Sequence, residues 1–142
     1  MIINKTISLL IISLLIVACS TTHSNKDKRF KIYDNYINDN KLESLKAISR
    51  FRMRGWTPLD NRHLIMSSTH RKSYLLTLKN YCQDLTTTTG IVPHQALSNT
   101  LDTKFDSIIV LTQRHLKCRI DTIHIIDKTQ HNELTALRKA SL

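Results

Sequence analysis

The side chains able to do chemistry in this 142-residue sequence are seven histidines, three cysteines and a run of alternating arginines. His115 and Cys118 stand at the spacing of two metal ligands, but no second Cys/His pair lies close by, so the other ligands would have to come from scattered loops. A thiol nucleophile at Cys82 or Cys118 needs a free thiolate beside a base such as His94 or His115, and nothing local marks one. Asp102 and Asp106 resemble paired carboxylates only in spacing, as one loop and one strand-start aspartate do in most domains. No G-x-S-x-G elbow is present. Two glycines in the whole chain leave no glycine-rich loop for a dinucleotide or a nucleoside triphosphate. These absences point to a non-enzymatic protein without metal or cofactor.

Arg50, Arg52 and Arg54 are the most informative surface feature. On a strand they would project from one face about 7 Å apart, and guanidinium forks bind phosphate bidentately. Arg62, Arg71 and Lys72 are candidates to extend the row. The competing reading is a solvated face, or an edge strand protected by charge against aggregation. Trp56, beside the row, is a stacking platform in the first reading and core in the second.

Residues 1–18, MIINKTISLLIISLLIVA, have one cation at Lys5, no acid and an apolar stretch from Thr6 onward, which is a secretory leader. As a helix the apolar part would rise about 20 Å, short of a hydrocarbon core of ~30 Å. Residues 15–19, LIVAC, resemble the lipobox of bacterial lipoproteins. That resemblance implies cleavage before Cys19, acylation of its thiol and amine, and a membrane anchor far stronger than a single acyl chain provides. Ser20 after the cysteine resembles an outer-membrane address, placing the domain on that membrane facing the periplasm.

Losing the leader removes one of the +10 formal charges and leaves +9. In a cytosolic protein such a balance points first to nucleic acid. An exported, lipid-anchored chain does not meet the genome, so the expected partners are envelope proteins or anionic envelope components such as lipopolysaccharide, phospholipid or peptidoglycan. In an oxidising compartment, Cys82 and Cys118 remain as an even pair and are expected to form a disulfide. Closing a loop of about 37 residues would contribute roughly 4 kcal/mol on the chain-entropy model.

The elements that must position these residues form one α+β, mainly β domain over residues 30–142, joined to Cys19 by a polar tether at 19–29. Residues 30–38 read as a short helix with Phe30, Tyr33 and Ile37 on one face. Strands are expected at 47–54, 63–68, 73–78, 105–111 and 117–126, with Gly55 as a bend and 99–104 as a loop. The segment 117–126 changes phase at Asp121, which calls for a bulge near Asp121 and Thr122. Pro93 argues against a central strand at 91–92, and residues 129–139 read as a C-terminal helix. The sum is a compact antiparallel sheet of five or six short strands, curled toward a small barrel, with a short helix at each end.

The ordered set W-T-P-L (56–59), Y-L-L-x-L (74–78), C-x-D-L (82–85), F-D-S-I-I-V (105–110) and C-R-I-D-x-I (118–123) resembles a family of small proteobacterial envelope lipoproteins catalogued only as a domain of unknown function. The resemblance runs from about Tyr33 to Leu137. It implies a similar fold and an envelope location, and it carries no mechanism.

Overall fold

The computed structural model describes residues 22–69 and 72–141. Residues 1–21, which hold the expected leader and Cys19, lie outside them, as do His70, Arg71 and Leu142. Helix α1 (Thr22–Asp39) is followed by β1 (Ser44–Leu45), β2 (Ala47–Ser49), β3 (Gly55–Pro58), β4 (His63–Thr69) and β5 (Lys72–Leu78). Then come β6 (Ile91–His94), β7 (Thr100–Asp102), β8 (Ser107–Val110), a 3-10 turn (Leu111–Gln113), β9 (Lys117–Ile126) and helix α2 (Lys128–Ala140).

The principal sheet runs β3-β4-β5-β9-β8-β6, antiparallel throughout. It is a curled half-barrel, mainly β, with a helix at each end, as the sequence pattern predicts. Strand β9 organises it. Residues 120–126 pair with β5 along one edge, while Lys117, Cys118 and Arg119 pair with β8 and Ile123 and His124 with β1 along the other. The ladder to β5 shifts register between the pairs Thr77–Thr122 and Leu78–Ile120, so Asp121 is the extra residue of a bulge. That bulge lets Cys118, Ile120 and Ile123 all face the same core despite their broken spacing.

Two apolar layers follow from strand alternation. Leu64 and Met66 of β4 and Tyr74, Leu76 and Leu78 of β5 face the concave side, with Phe51, Leu101 and Ile108. Ile65 and Leu75, one residue out of phase, face the convex side and are covered by Tyr33 of α1 and Leu134 of α2. Both faces of these two strands are therefore dry, which is why they read as nearly continuous apolar runs.

Local chemistry sets the element ends. Helix α1 stops where Lys41 takes a left-handed φ of 47° and Leu42 donates its N–H to the Ile37 carbonyl. At the start of α2 a capping box forms: Gln130 N–H donates to Asp127 Oδ1 at 2.8 Å and Asp127 N–H to Gln130 Oε1 at 2.9 Å. Pro93 is accommodated because β6 is the edge of the sheet.

Four details differ from the sequence pattern. Helix α1 begins at Thr22, within the polar segment 19–29, where no Gly or Pro interrupts helix propagation. The strand expected at 47–54 ends at Ser49, because Arg50 adopts φ 56° and turns the chain out of the ladder. Gly55 opens β3 instead of bending the chain. Within the loop expected at 99–104, β7 pairs with β2 to form a separate two-stranded sheet.

Candidate functional site

Arg50, Arg52 and Arg54 do not share a strand face, so the evenly spaced row is replaced by an extended segment outside the sheet. The alternation nevertheless survives. Phe51 is buried in the concave core and Met53 packs against it, while all three arginines are exposed. Phe51 N–H donates to the Asn99 carbonyl and Arg54 N–H to the Ser67 carbonyl, each at 2.7 Å, which pins the segment at both ends. Arg62 does not extend this group. Its Nη1 lies 3.7 Å from Asp34 Oδ2 and its Nε donates to the Leu78 carbonyl at 3.1 Å. Trp56 packs against the concave core.

Cys82 and Cys118 are bonded, with Cα atoms 5.6 Å apart. The bridge ties the loop after β5 to β9 beneath the concave core, where both residues are buried. It also takes Cys118 out of any ligand pair with His115. Among the described residues no group of three His, Cys, Asp or Glu side chains is placed to hold a metal ion. The paired-carboxylate pattern has a structural use: Asp106, buried, accepts from Ala96 N–H and Asp102 N–H, and Asp102 accepts from Lys104 N–H. These bonds shape the loop around β7.

His63 is completely buried at the start of β4. Its Nδ1 lies 3.0 Å from Asp60 Oδ2 and its Nε2 3.1 Å from Asp34 Oδ1. Asp60 is itself held by the N–H groups of Arg62 and His63, both 2.6 Å from Oδ1. The Tyr33 ring centroid lies 5.3 Å and the Phe30 centroid 6.5 Å from that of His63. The two carboxylates flank opposite ring nitrogens, so the arrangement fastens α1 to the β3–β4 turn and does not form a shared cation cage. Asp60 and His63, three apart after an apolar strand, are a visible Asx-turn pattern. Asp34 is 29 residues away in sequence, and only the packing of α1 brings it in.

Beside this cluster lies a cavity of about 270 Å³. Arg29 and Phe30 of α1, Asp60 and Asn61 of the β3–β4 turn, and Tyr81, Thr86 and Thr87 of the loop after β5 line it. Arg138 and Ser141, at the end of α2, complete the lining. Asn61 is committed to its neighbours, its Nδ2 donating to the Cys82 carbonyl and its Oδ1 accepting from the Thr86 hydroxyl. The bridged loop is thereby held against the β3–β4 turn. Burial pushes the Tyr33 phenol above its ordinary pKa; Ser141, Arg138 and Arg29 oppose that shift and the Asp60 charge adds to it.

A family model described as a family of unknown function (DUF6491) matches residues 2–141. No curated protein and no solved structure matches the chain.

Proposed function

We propose, taking as premise that this chain belongs to the DUF6491 family of unknown function, that it is a lipid-anchored envelope protein with a non-enzymatic interaction or assembly role. It sits on the outer membrane facing the periplasm, held there by an acylated Cys19, and its partners are envelope proteins. The observation that carries this reading is the Cys82–Cys118 bridge. A buried structural disulfide belongs to an oxidising compartment, which agrees with the secretory pattern of residues 1–18 and the lipobox-like residues 15–19. The test is the intact mass of the protein extracted from membranes, with and without reduction before thiol alkylation. An acylated Cys19 at the N-terminus, with Cys82 and Cys118 alkylated only after reduction, is expected. An unmodified Cys19, or free thiols at both later positions, overturns the reading.

A second reading is favoured by the exposed segment 50–54. Arg50, Arg52 and Arg54 have no carboxylate partner among the described residues, and Phe51 holds them in place as a preformed cationic surface for an anionic envelope component. Co-sedimentation with phosphatidylglycerol vesicles, falling steeply with salt and lost in the triple Arg→Ser variant, is expected; equal sedimentation with phosphatidylcholine vesicles overturns it.

A further inference from the structure

Arg29 and Arg138 reach the same cavity from the two terminal helices, and neither has a carboxylate partner among the described residues. Arg138 is half-buried. Asp60 also lines the cavity and keeps its charge, but its oxygens are taken up by Arg62 N–H, His63 N–H and His63 Nδ1, and it forms no ion pair with either arginine. The lining threonines and serine are spent as donors: Thr86 donates to Asn61, Thr87 to the Asp84 carbonyl and Ser141 to the Arg138 carbonyl. The two guanidinium forks are the charged donors left to bind a ligand. Two like charges lining one small cavity repel each other, and an anion bound between them relieves that repulsion.

The other half of the cavity is apolar. Phe30 and Tyr81 meet edge to face with centroids 6.3 Å apart, forming a corner against which a flat ring packs. A cavity of about 270 Å³ is at the small end of ligand pockets and suits one ring and one charged group. Two forks from different helices match the three terminal oxygens of a phosphate monoester better than the two oxygens of a carboxylate.

We propose that the cavity between α1, α2 and the bridged loop is a binding site for a small soluble phosphate monoester with an aromatic or similarly flat apolar body. Arg29 and Arg138 clamp the phosphate, and Phe30 and Tyr81 receive the ring. The site is separate from Arg50, Arg52 and Arg54, so it stands or falls independently of the vesicle-binding reading. The Cys82–Cys118 bridge supports it indirectly, since Asn61 links Cys82 to Thr86 in its wall.

The experiment is calorimetric titration of the detergent-solubilised full chain with phenyl phosphate, inorganic phosphate and benzoate. Phenyl phosphate is expected to saturate one site and to bind about tenfold or more tightly than either fragment-like probe. R138Q and R29Q are each expected to weaken phenyl phosphate by about tenfold, the loss of one charge-assisted contact. Phe30→Leu is expected to narrow the gap between phenyl phosphate and inorganic phosphate, and the triple Arg50, Arg52, Arg54→Ser variant to leave both unchanged. Unchanged thermal unfolding of each variant separates lost binding from lost folding. The proposal is overturned if phenyl phosphate binds no better than inorganic phosphate or benzoate, or if folded R138Q and R29Q bind it as the parent does. Displacement of phenyl phosphate by phosphatidic acid vesicles overturns the choice of a soluble ligand.

Discussion

Asp60 shows how much one buried carboxylate can organise. Three donors converge on it, two of them backbone N–H groups that cannot turn to another partner. Asp60→Ala therefore leaves several polar groups without their acceptor at a buried position, and we expect a loss of roughly 3 kcal/mol in urea unfolding. The tyrosines make a second prediction. Burial raises the phenols of Tyr33 and Tyr74, and burial followed by hydrogen bonding and repulsion from Glu133 raises that of Tyr36, whose hydroxyl donates to Glu133 Oε2 at 2.5 Å. A phenol whose pKa is higher folded than unfolded keeps its proton in the native state after the unfolded chain has lost it. Its stabilisation is complete below the unfolded value near 10 and is lost as pH rises through the folded value. Unfolding free energy should thus decline above about pH 10, and Tyr36→Phe should flatten that decline. A profile rising through this range contradicts the assignment.

At the scale of elements, legibility tracked how local the cause was. The bulge in β9 was readable because a phase change at Asp121 is written in consecutive residues, and the register shift opposite Thr77 and Leu78 is its direct result. The C-terminal helix was readable from Leu134 and Leu137 with basic residues at its end. In contrast, residues 47–54 alternate well enough for a strand throughout, and only the left-handed φ at Arg50 ends it. Strand β7 was hidden because Thr100, Leu101 and Asp102 look like loop residues until Leu101 is seen buried against Ile48 of β2. The His63 cluster and the cavity were illegible for the same reason: Asp34, Arg29 and Arg138 join them only through helix packing. The cysteine pair, by contrast, followed from counting and compartment. These causes predict opposite effects for two changes. Arg50→Gly relieves a left-handed conformation and should raise stability by about 0.5–1 kcal/mol, whereas reducing the Cys82–Cys118 bridge should lower it by about 2–4 kcal/mol. Urea unfolding measures both, and a destabilised Arg50→Gly variant means that side-chain contacts, not backbone, hold that position.

At the scale of the whole molecule, the excess of positive charge has few internal counterparts. The sequence holds 21 Lys and Arg against 11 Asp and Glu, and much of the acid is consumed internally. Asp60 and Asp34 are bound to His63 and Arg62, Asp106 and Asp102 to loop N–H groups, and Asp127 to a helix cap. Arg50, Arg52 and Arg54 face solvent together on one short segment, and folding brings Arg29 and Arg138, far apart in sequence, to one cavity, so the compact state holds its cations closer together than an unfolded chain does. The native state therefore carries a repulsion that salt screens. Raising ionic strength from about 0.01 M, where the Debye length is ~30 Å, to about 1 M, where it is ~3 Å, should raise the melting temperature. Sodium chloride is the salt to use, because sulfate and phosphate also strengthen apolar burial and would confound the reading. A ring-bearing phosphate that fills the cavity adds a saturable increment on top of this screening, set by its concentration relative to its dissociation constant. Screening by chloride grows smoothly with concentration and should persist in R138Q; the saturable increment from phenyl phosphate should vanish there. A melting temperature that is flat or falls with sodium chloride would mean that local ion pairing outweighs the net charge, and the arginine clusters would then not be the strained feature of this fold.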